Sequence, residues 1–229
     1  MKDLTNRVAI VTGSSSGVGA ATARLLAAKG CHVVINYNRN AEGAEQVAED
    51  CEAAGAETLV LQANVAIDEA CVAMAQAANE KWGRVDVLVN NAGTTKFVDH
   101  DRLDGLSAED FQRIYSVNVV GAYQMTRAVS PLMHSQEDGG AVVNVASTAG
   151  ITGIGSCVAY AASKGAMVTM TLSLARALGP KLRINAVCPG FIEGDWLKEG
   201  YGDDRYAKLM AFNRDNAPVS YTHLTLPTK

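Results

Sequence analysis

The chain lacks the features that mark several classes of protein. Its 229 residues contain no uninterrupted apolar run of about 18, the length that a membrane-spanning helix needs. Lysine and arginine are scattered and the net charge is −4, so no basic patch for nucleic acid is present. The first residues show no signal-peptide pattern. We therefore expect a cytoplasmic protein that binds neither nucleic acid nor membrane.

Cysteine pairs are also missing. The five cysteines are widely spaced and form no Cys-x-x-Cys motif, which disfavours a zinc site or a redox couple, and we predict no metal. Free thiols are typical of a reducing cytosol. Cys157 is expected to be a small residue at the start of a helix. With 48% hydrophobic and 19% charged residues, the composition excludes disorder and is sufficient for a sizeable core.

Short apolar strands alternate with helical segments along the chain. The strands are continuously apolar, as in a parallel sheet that is covered by helices on both faces. We predict strands at 8–11, 33–36, 58–61, 85–89, 141–145 and 184–187. The predicted helices are 20–29, 41–54, 68–81, 107–134 and 158–178. This order predicts an α/β fold with a doubly wound parallel sheet of the Rossmann type.

The end of the chain does not follow this pattern. Residues 219–229 show no helical or strand periodicity and read like a translated transposase adapter from a sequencing library. We therefore expect residues 1–218 to form a single dinucleotide-binding and catalytic domain, followed by a non-native tail. The final strand of the sheet is then expected to be missing, which would leave residues 184–187 at an edge and make the chain as given less stable and weakly active.

A glycine-rich loop follows the first strand. The spacing is Gly13-x-x-x-Gly17-x-Gly19, with Ser14, Ser15 and Ser16 between the glycines. Glycine permits close approach of the backbone to a diphosphate, and the start of a helix supplies N–H groups and a positive dipole end. No Gly-Lys-Ser/Thr follows, which disfavours nucleoside triphosphate hydrolysis. In this strand–loop–helix context a dinucleotide site is favoured over a plain tight turn.

Six motifs in register resemble the short-chain dehydrogenase/reductase family, in its compact one-domain branch. They are the glycine loop, Asn90-Asn91-Ala92-Gly93, Asn118, Ser147, Tyr160-x-x-x-Lys164 and Pro189-Gly190. The resemblance covers residues 8–218 and is greatest to the group with 3-oxoacyl-carrier-protein reductases and sugar or polyol dehydrogenases. It implies an oxidoreductase that transfers a hydride between a nicotinamide dinucleotide and a carbonyl or secondary alcohol (EC 1.1.1.-).

The resemblance also implies which residues hold the cofactor. These are Gly13, Ser15, Ser16, Gly17, Val18, Gly19, Arg39, Asn64, Val65, Asn91, Ala92, Gly93, Tyr160, Lys164, Pro189, Gly190 and Ile192. Asn64 departs from the family pattern, which has an aspartate that accepts from the adenine amino group. An amide oxygen can still accept that hydrogen bond without charge assistance, so adenine binding is expected to be retained.

The end of the second strand bears on the choice between NAD and NADP. NAD-dependent relatives carry there an acidic residue that binds the ribose hydroxyls. This chain has Asn36-Tyr37-Asn38-Arg39 instead, with no carboxylate to repel a 2′-phosphate. Arg39 would pair with that phosphate, and Ser16 would donate a further hydrogen bond. We predict a preference for NADP(H), the alternative being that Arg39 is a solvated loop charge.

The catalytic group implied by the resemblance is Asn118, Ser147, Tyr160 and Lys164. Tyr160 and Lys164 are four residues apart and share one face of a helix. An ammonium group about 4 Å away, at an effective dielectric near 20, favours a phenolate by up to about 4 kcal/mol. Tyr160 would therefore exchange a proton with the substrate oxygen, which Ser147 holds. Asn118 would hold a water that passes protons from Lys164.

Alternatives to this function remain open from the sequence. The chain could be a non-catalytic dinucleotide-binding regulator, although binding alone does not need Ser147, Tyr160 and Lys164. Epimerase or dehydratase activity belongs to longer relatives. The substrate is a small molecule of unknown identity, and we expect residues 94–98 and 150–157 to wall its pocket and residues 190–212 to form a helical lid. A full-length chain is expected to be a homotetramer.

Overall fold

The protein is described by a computed structural model that covers residues 4–216, with the backbone alone for Asn216; the predicted tail at 219–229 lies outside these residues. A parallel six-stranded sheet has the order β3-β2-β1-β4-β5-β6. Its strands are β1 Val8–Val11, β2 His32–Tyr37, β3 Thr58–Gln62, β4 Val87–Asn90, β5 Gly140–Val145 and β6 Leu182–Val187. The predicted doubly wound α/β fold is thereby confirmed. The strand order reverses between β1 and β4, where such sheets bind ligands beyond their carboxyl ends.

Helices connect the strands. They are α1 Gly17–Ala27, α2 Ala41–Ala53, α3 Asp68–Trp82, α4 Ala108–Tyr115, α5 Ala122–Ser135, α6 Ala149–Thr152, α7 Val158–Leu178, α8 Asp195–Tyr201 and α9 Asp203–Asn216, with a 3-10 turn at Leu103–Gly105. The helix predicted at 107–134 is interrupted, because Ser116–Gly121 forms a π-helical segment between α4 and α5. The first helix begins at Gly17 rather than at residue 20, so the last two glycines of the loop belong to its first turn.

The continuously apolar strands arise because the sheet is buried on both faces. Val8 and Ile10 of β1 pack with Met74 of α3 and Met125 of α5. The alternate β1 residues Ala9 and Val11 pack on the opposite face, where α1 and α2 supply mainly alanines and Val47. Small side chains on α1 allow that helix to lie close to the sheet. This packing holds the carboxyl ends of β1 and β4 side by side.

The chain divides into two compact units, and the boundary falls between Cys188 and Pro189. The second unit contains α8 and α9, which confirms the helical character predicted for residues 190–212. Within it, the Gly194 N–H donates to the Tyr206 hydroxyl at 3.2 Å and the Phe191 ring lies 5.9 Å from the Tyr206 ring. The lid role of this unit and the single-domain organisation stay predictions. Among the described residues, no helix combines the length and apolar character that crossing a membrane requires.

Candidate active site

The glycine loop joins β1 to α1 through two residues with left-handed backbone. Gly13 has φ +61° and Gly17 has φ +54°, a region that side chains with a Cβ rarely adopt. A Cβ at Gly13 would lie 2.9 Å from Ala92 Cα, which makes this glycine necessary for contact with the loop after β4. A Cβ at Gly17 would meet nothing within 4 Å. The loop is therefore packed tightly on one side and open at Gly17.

The first turn of α1 has no side-chain cap. Ser16 occupies the N-cap position in an extended conformation, yet its hydroxyl makes no capping hydrogen bond. The starts of α2 and α4 are capped by Asn40 and Ser107. The N–H groups at Gly17 and Val18 are therefore not used by a capping side chain, and they lie at the positive end of the helix dipole. These donors, together with the open space at Gly17, fit the diphosphate of a dinucleotide.

The loop after β4 is fixed to the glycine loop. Thr12 Oγ1 accepts hydrogen bonds from the N–H groups of Asn91 and Ala92, both at 3.0 Å. The Asn91 carboxamide donates to the carbonyls of Thr12 and Gly13 at 2.9 and 3.0 Å. The predicted cofactor residue Asn91 thus uses its side chain to shape the loop, and Ala92 and Gly93 follow at the same edge of the sheet.

The residues predicted to surround the adenine follow β3. Asn64 Oδ1 accepts from the Ala66 N–H at 3.1 Å, so its carboxamide shapes this turn. Val65 is buried, and its carbonyl accepts from Gln124 Nε2 at 2.8 Å. A Cβ at Gly121, the last residue of the π-helical segment, would lie 2.7 Å from Val65 Cγ2. The adenine-side turn therefore packs directly on the helix that carries Asn118.

Arg39 lies in the loop between β2 and α2 and is exposed. The next residue, Asn40, caps α2 by accepting from the Gly43 N–H at 3.0 Å, and its Nδ2 donates to the Ser15 carbonyl at 3.5 Å. These contacts place Arg39 beside the glycine loop. Among residues 4–216, Arg39 forms no ion pair, which distinguishes it from Arg24, whose guanidinium pairs with Asp50 at 2.7 Å.

Tyr160 and Lys164 meet on one face of α7, as the four-residue spacing predicts. Lys164 Nζ lies 5.7 Å from the centroid of the Tyr160 ring and donates to the Val145 carbonyl at 2.7 Å. The lysine is 4% exposed, and this burial lowers its pKa to about 8. At neutral pH most of the lysine is still protonated. The site therefore holds a buried cation next to a phenol.

Asn118 lies in the π-helical segment and is fully buried. Its Oδ1 accepts from the Thr94 N–H at 2.7 Å, and its Nδ2 donates to the Thr94 carbonyl and to Ser163 Oγ, both at 3.0 Å. A Cβ built at Gly93 would lie 3.5 Å from Asn118 Oδ1 and 3.7 Å from Lys164 Nζ. Gly93, just after β4, therefore lies close to the side chains of both Asn118 and Lys164.

Ser147 follows β5 and is partly buried. Its Oγ accepts from the Ala149 N–H at 3.1 Å and keeps its own proton available for donation. The short helix α6 that follows lies against α7, because a Cβ at Gly150 would be 2.5 Å from the carbonyl carbon of Lys164. This contact holds the Ser147 loop at the turn of α7 that carries Lys164.

The two predicted walls of the substrate pocket are joined to each other. The Val98 N–H donates to the Ser156 carbonyl at 2.9 Å, and the Thr95 and Ser156 hydroxyls lie 2.6 Å apart. His100 Nε2 lies 3.1 Å from the Gly155 carbonyl oxygen. These contacts join residues 95–100 to Gly155 and Ser156, and their role as a wall of the substrate pocket stays a prediction.

Cys157 requires a correction, because it was expected both at a helix start and in the pocket wall. It is fully buried and is the N-cap of α7, with Sγ accepting from the Tyr160 N–H at 3.4 Å. The helix-start prediction is confirmed, and the wall assignment is wrong because no surface of Cys157 is left for a ligand. Thr94 was expected in the pocket wall, but sequence reasoning did not foresee that Asn118 binds its main chain, and it missed the contacts of Asn36. A polar residue inside an apolar strand was the available signal for Asn36.

Comparison with known proteins finds matches over most of the chain. The profile of the short chain dehydrogenase family matches residues 7–204. A ketoacyl reductase of the granaticin polyketide synthase of Streptomyces violaceoruber is 39% identical over 215 residues, which cover 94% of this chain and 83% of the relative. A 3-oxoacyl-[acyl-carrier-protein] reductase of Synechocystis sp. is 39% identical over 196 residues, or 85% of this chain and 78% of the relative.

A similar solved structure is that of NAD⁺-bound xylitol dehydrogenase. It superimposes with a TM-score of 0.81 and is 31% identical in sequence, and the match covers 92% of this chain and 78% of that one. The similar proteins thus include reductases of 3-oxoacyl groups and a polyol dehydrogenase.

Proposed function

The chain belongs to the short-chain dehydrogenase/reductase family and is an oxidoreductase, and we propose that it uses NADP(H) to interconvert a carbonyl compound and a secondary alcohol. We assign the catalytic roles to Ser147, Tyr160 and Lys164, with Asn118 as their support. The observation that carries the assignment is the buried Lys164 ammonium beside the Tyr160 ring, at the sheet edge that also bears the glycine loop.

Tyr160 is the proton donor in the proposed reduction. Transfer of a hydride is the chemistry that a bound nicotinamide supplies. The substrate oxygen gains negative charge as its carbon is reduced, and Tyr160 Oη gives its proton to that oxygen. In the oxidation direction the phenolate takes the proton back. Ser147 Oγ donates a hydrogen bond to the same oxygen, because its lone pairs serve Ala149 N–H and its proton remains available.

Lys164 lowers the proton affinity of Tyr160 through its charge. A tyrosine with an ordinary pKa of about 10 releases its proton poorly at neutral pH. The ammonium group is held near the ring by its hydrogen bond to the Val145 carbonyl, and protein surrounds it instead of water. Its field on the phenol is therefore stronger than at a solvated surface. Asn118 keeps the Thr94 main chain and Ser163 in place around this pair.

The preference for NADP(H) is supported by the position of Arg39. It is exposed beside the glycine loop, and the second strand ends without a carboxylate. A guanidinium group pairs well with a phosphate. The similar xylitol dehydrogenase was solved with NAD⁺ bound, so the fold alone does not support NADP(H) and this preference rests on the local residues. We include Pro189, Gly190 and Ile192 in the proposed cofactor site on the family resemblance alone.

The substrate class that we favour is a 3-oxoacyl thioester, because the similar curated proteins are named as reductases of such groups. The test is NADPH consumption with a panel of a 3-oxoacyl thioester, simple ketones and sugars, and NADP⁺ reduction with polyols. Turnover of any of these carbonyl compounds or alcohols supports the oxidoreductase assignment, and the fastest substrate defines the class. Tight NADPH binding without turnover of any of them would favour a dinucleotide-binding regulator.

We also propose that the active form is a homotetramer. Apolar side chains of Tyr123 on α5 and Leu172 on α7 are about half exposed in the single chain. Burial of such side chains between copies would remove apolar surface from water. Light scattering coupled to size-exclusion chromatography measures the mass directly, and a monomer at micromolar concentration would contradict this part of the proposal.

A further inference from the structure

Asn36 is a polar residue near the end of the apolar strand β2, and it is 2% exposed. Its carboxamide connects two loops. Oδ1 accepts from the Gly13 N–H at 3.0 Å, while Nδ2 donates to the carbonyls of Ala63 at 3.0 Å and Leu61 at 3.3 Å. Gly13 belongs to the glycine loop, and Leu61 and Ala63 precede the adenine-side turn. One side chain therefore holds both parts of the proposed cofactor site.

The main chain of Asn36 strengthens the connection. Its N–H donates to Ser14 Oγ at 3.0 Å, and its carbonyl accepts from the Ser14 N–H at 2.9 Å. Ser14 is fully buried and its hydroxyl donates to the Val11 carbonyl at 2.7 Å. Ser14 therefore faces inward, unlike its exposed neighbour Ser16. Asn36 and Ser14 together form a buried link between β2 and the glycine loop.

We propose that Asn36 is a positioning residue for the dinucleotide, which it does not touch. By joining Gly13 to Ala63, it sets the separation between the N–H groups that receive the diphosphate and the Asn64–Val65 turn that receives the adenine. A rigid ligand with two anchoring points binds best to a site that already has the right separation. This inference rests on the proposed binding of NADP(H).

The chemistry of this position requires an amide. A carboxylate at position 36 would still accept from the Gly13 N–H, but it would face the three carbonyl oxygens around Nδ2, including that of Tyr37, without a donor. An apolar residue would leave the Gly13 N–H without its side-chain acceptor in a partly buried setting. Because the carboxamide makes its hydrogen bonds within the protein, Asn36 is not available to the ribose. The residues after Asn36 would therefore discriminate between NAD and NADP.

The experiment compares Asn36→Ala and Asn36→Asp with Ser14→Ala, which breaks the same link from the other side. The matched control is Asn144→Ala, since Asn144 is also fully buried and hydrogen-bonded to Thr171 and Asn90 but lies on β5. ADP binding is measured by calorimetry, and amide hydrogen exchange of the free chain is followed at residues 12–16 and 62–66. NADPH-dependent turnover is measured at saturating cofactor.

We expect the two Asn36 variants and Ser14→Ala to bind ADP about tenfold more weakly, as for loss of a buried hydrogen bond. Hydrogen exchange should accelerate in both segments together, while kcat at saturating NADPH stays within about twofold because the interaction acts on binding. Asn144→Ala should lower the melting temperature and keep ADP affinity.

The inference is overturned if the Asn36 and Ser14 variants lose only thermal stability, as the control does, and bind ADP like the unaltered chain. If Asn36→Ala does not fold, the ADP affinity and hydrogen exchange of Asn36→Asp and Ser14→Ala test the inference instead. Failure of the unaltered chain to bind ADP and NADPH would contradict the proposed function itself. Loss of binding confined to the variants supports the role of Asn36.

Discussion

The carboxamide of Asn118 forms two hydrogen bonds with the main chain of Thr94. Its Oδ1 accepts from the Thr94 N–H at 2.7 Å, and its Nδ2 donates to the Thr94 carbonyl at 3.0 Å. The two residues are 24 positions apart in sequence. The same Nδ2 reaches Ser163 Oγ, next to Lys164. The carboxamide thus joins the π-helical segment, the start of the substrate wall and the catalytic helix. Its predicted role in holding a water for Lys164 stays a prediction.

Replacement of Asn118 by alanine is expected to lower kcat/KM by about 10- to 100-fold, because the part-buried N–H and carbonyl of Thr94 lose their partners and this segment shifts. Steady-state kinetics with the best carbonyl substrate measures the change. Ser116→Ala is the control in the same segment, since its hydroxyl donates to the Arg113 carbonyl within the helix and contacts neither Thr94 nor Ser163. Equal kinetics for Asn118→Ala and the unaltered chain would contradict the supporting role.

Replacement of Tyr160 by phenylalanine removes the proposed proton donor and should lower kcat by about 10²- to 10⁴-fold. Binding of NADPH, followed by its fluorescence, should change little because the ring and its packing remain. Tyr123→Phe on α5 serves as the control for the same chemical change, since it lies outside the proposed catalytic group and keeps the apolar ring that the proposed tetramer would bury. Turnover by Tyr160→Phe near the unaltered rate would show that another group donates the proton.

Lys164 connects activity to pH. Its pKa of about 8 predicts that the reduction rate falls above pH 8, where the ammonium loses its proton and its effect on Tyr160. Lys164→Met should be almost inactive at every pH. Rate–pH profiles of the two proteins test this, and a profile that stays flat from pH 7 to 10 in the unaltered chain would argue against the role.

The same pKa has a consequence for stability. Burial lowers the pKa from 10.5 in the unfolded chain to about 8 in the folded one, so the unfolded state holds more protons between these values. The free energy of unfolding contributed by Lys164 therefore increases with pH across that window. The variant Lys164→Met avoids the cost of burying the charged lysine. Its gain in free energy of unfolding over the unaltered chain should therefore be larger at pH 7 than at pH 10. Denaturant unfolding at both values measures the difference, and the opposite sign would refute it.

Arg39 is expected to discriminate between the cofactors. Arg39→Ala should raise KM for NADPH about tenfold through loss of a charge-assisted contact, and should leave KM for NADH nearly unchanged. Arg24→Ala controls for the change in net charge, because Arg24 is a similarly exposed arginine on α1 whose guanidinium pairs with Asp50. A higher kcat/KM with NADH than with NADPH in the unaltered chain would overturn the proposed preference.

Much of the fold follows from the sequence because it depends on local patterns. Apolar runs such as residues 8–11 need burial on both faces, which a parallel sheet covered by helices provides. The capping box of Ser107 and Asp110 at the start of α4 also depends on sequence alone, since both partners lie within one turn. Tyr160 and Lys164 share a face because four residues complete about one turn of any α-helix. These features require no knowledge of distant neighbours.

The tertiary structure decided the contacts that give the site its shape. Lys164 reaches the Val145 carbonyl, Asn118 reaches Thr94, and Asn36 reaches Gly13 and Ala63. Each contact joins residues 19 to 27 positions apart, and its partner is a main-chain group that every residue possesses. No residue type therefore marks the partner in the sequence. The lowered pKa of Lys164 arises in the same way, because burial depends on how helix and sheet pack rather than on the residue itself.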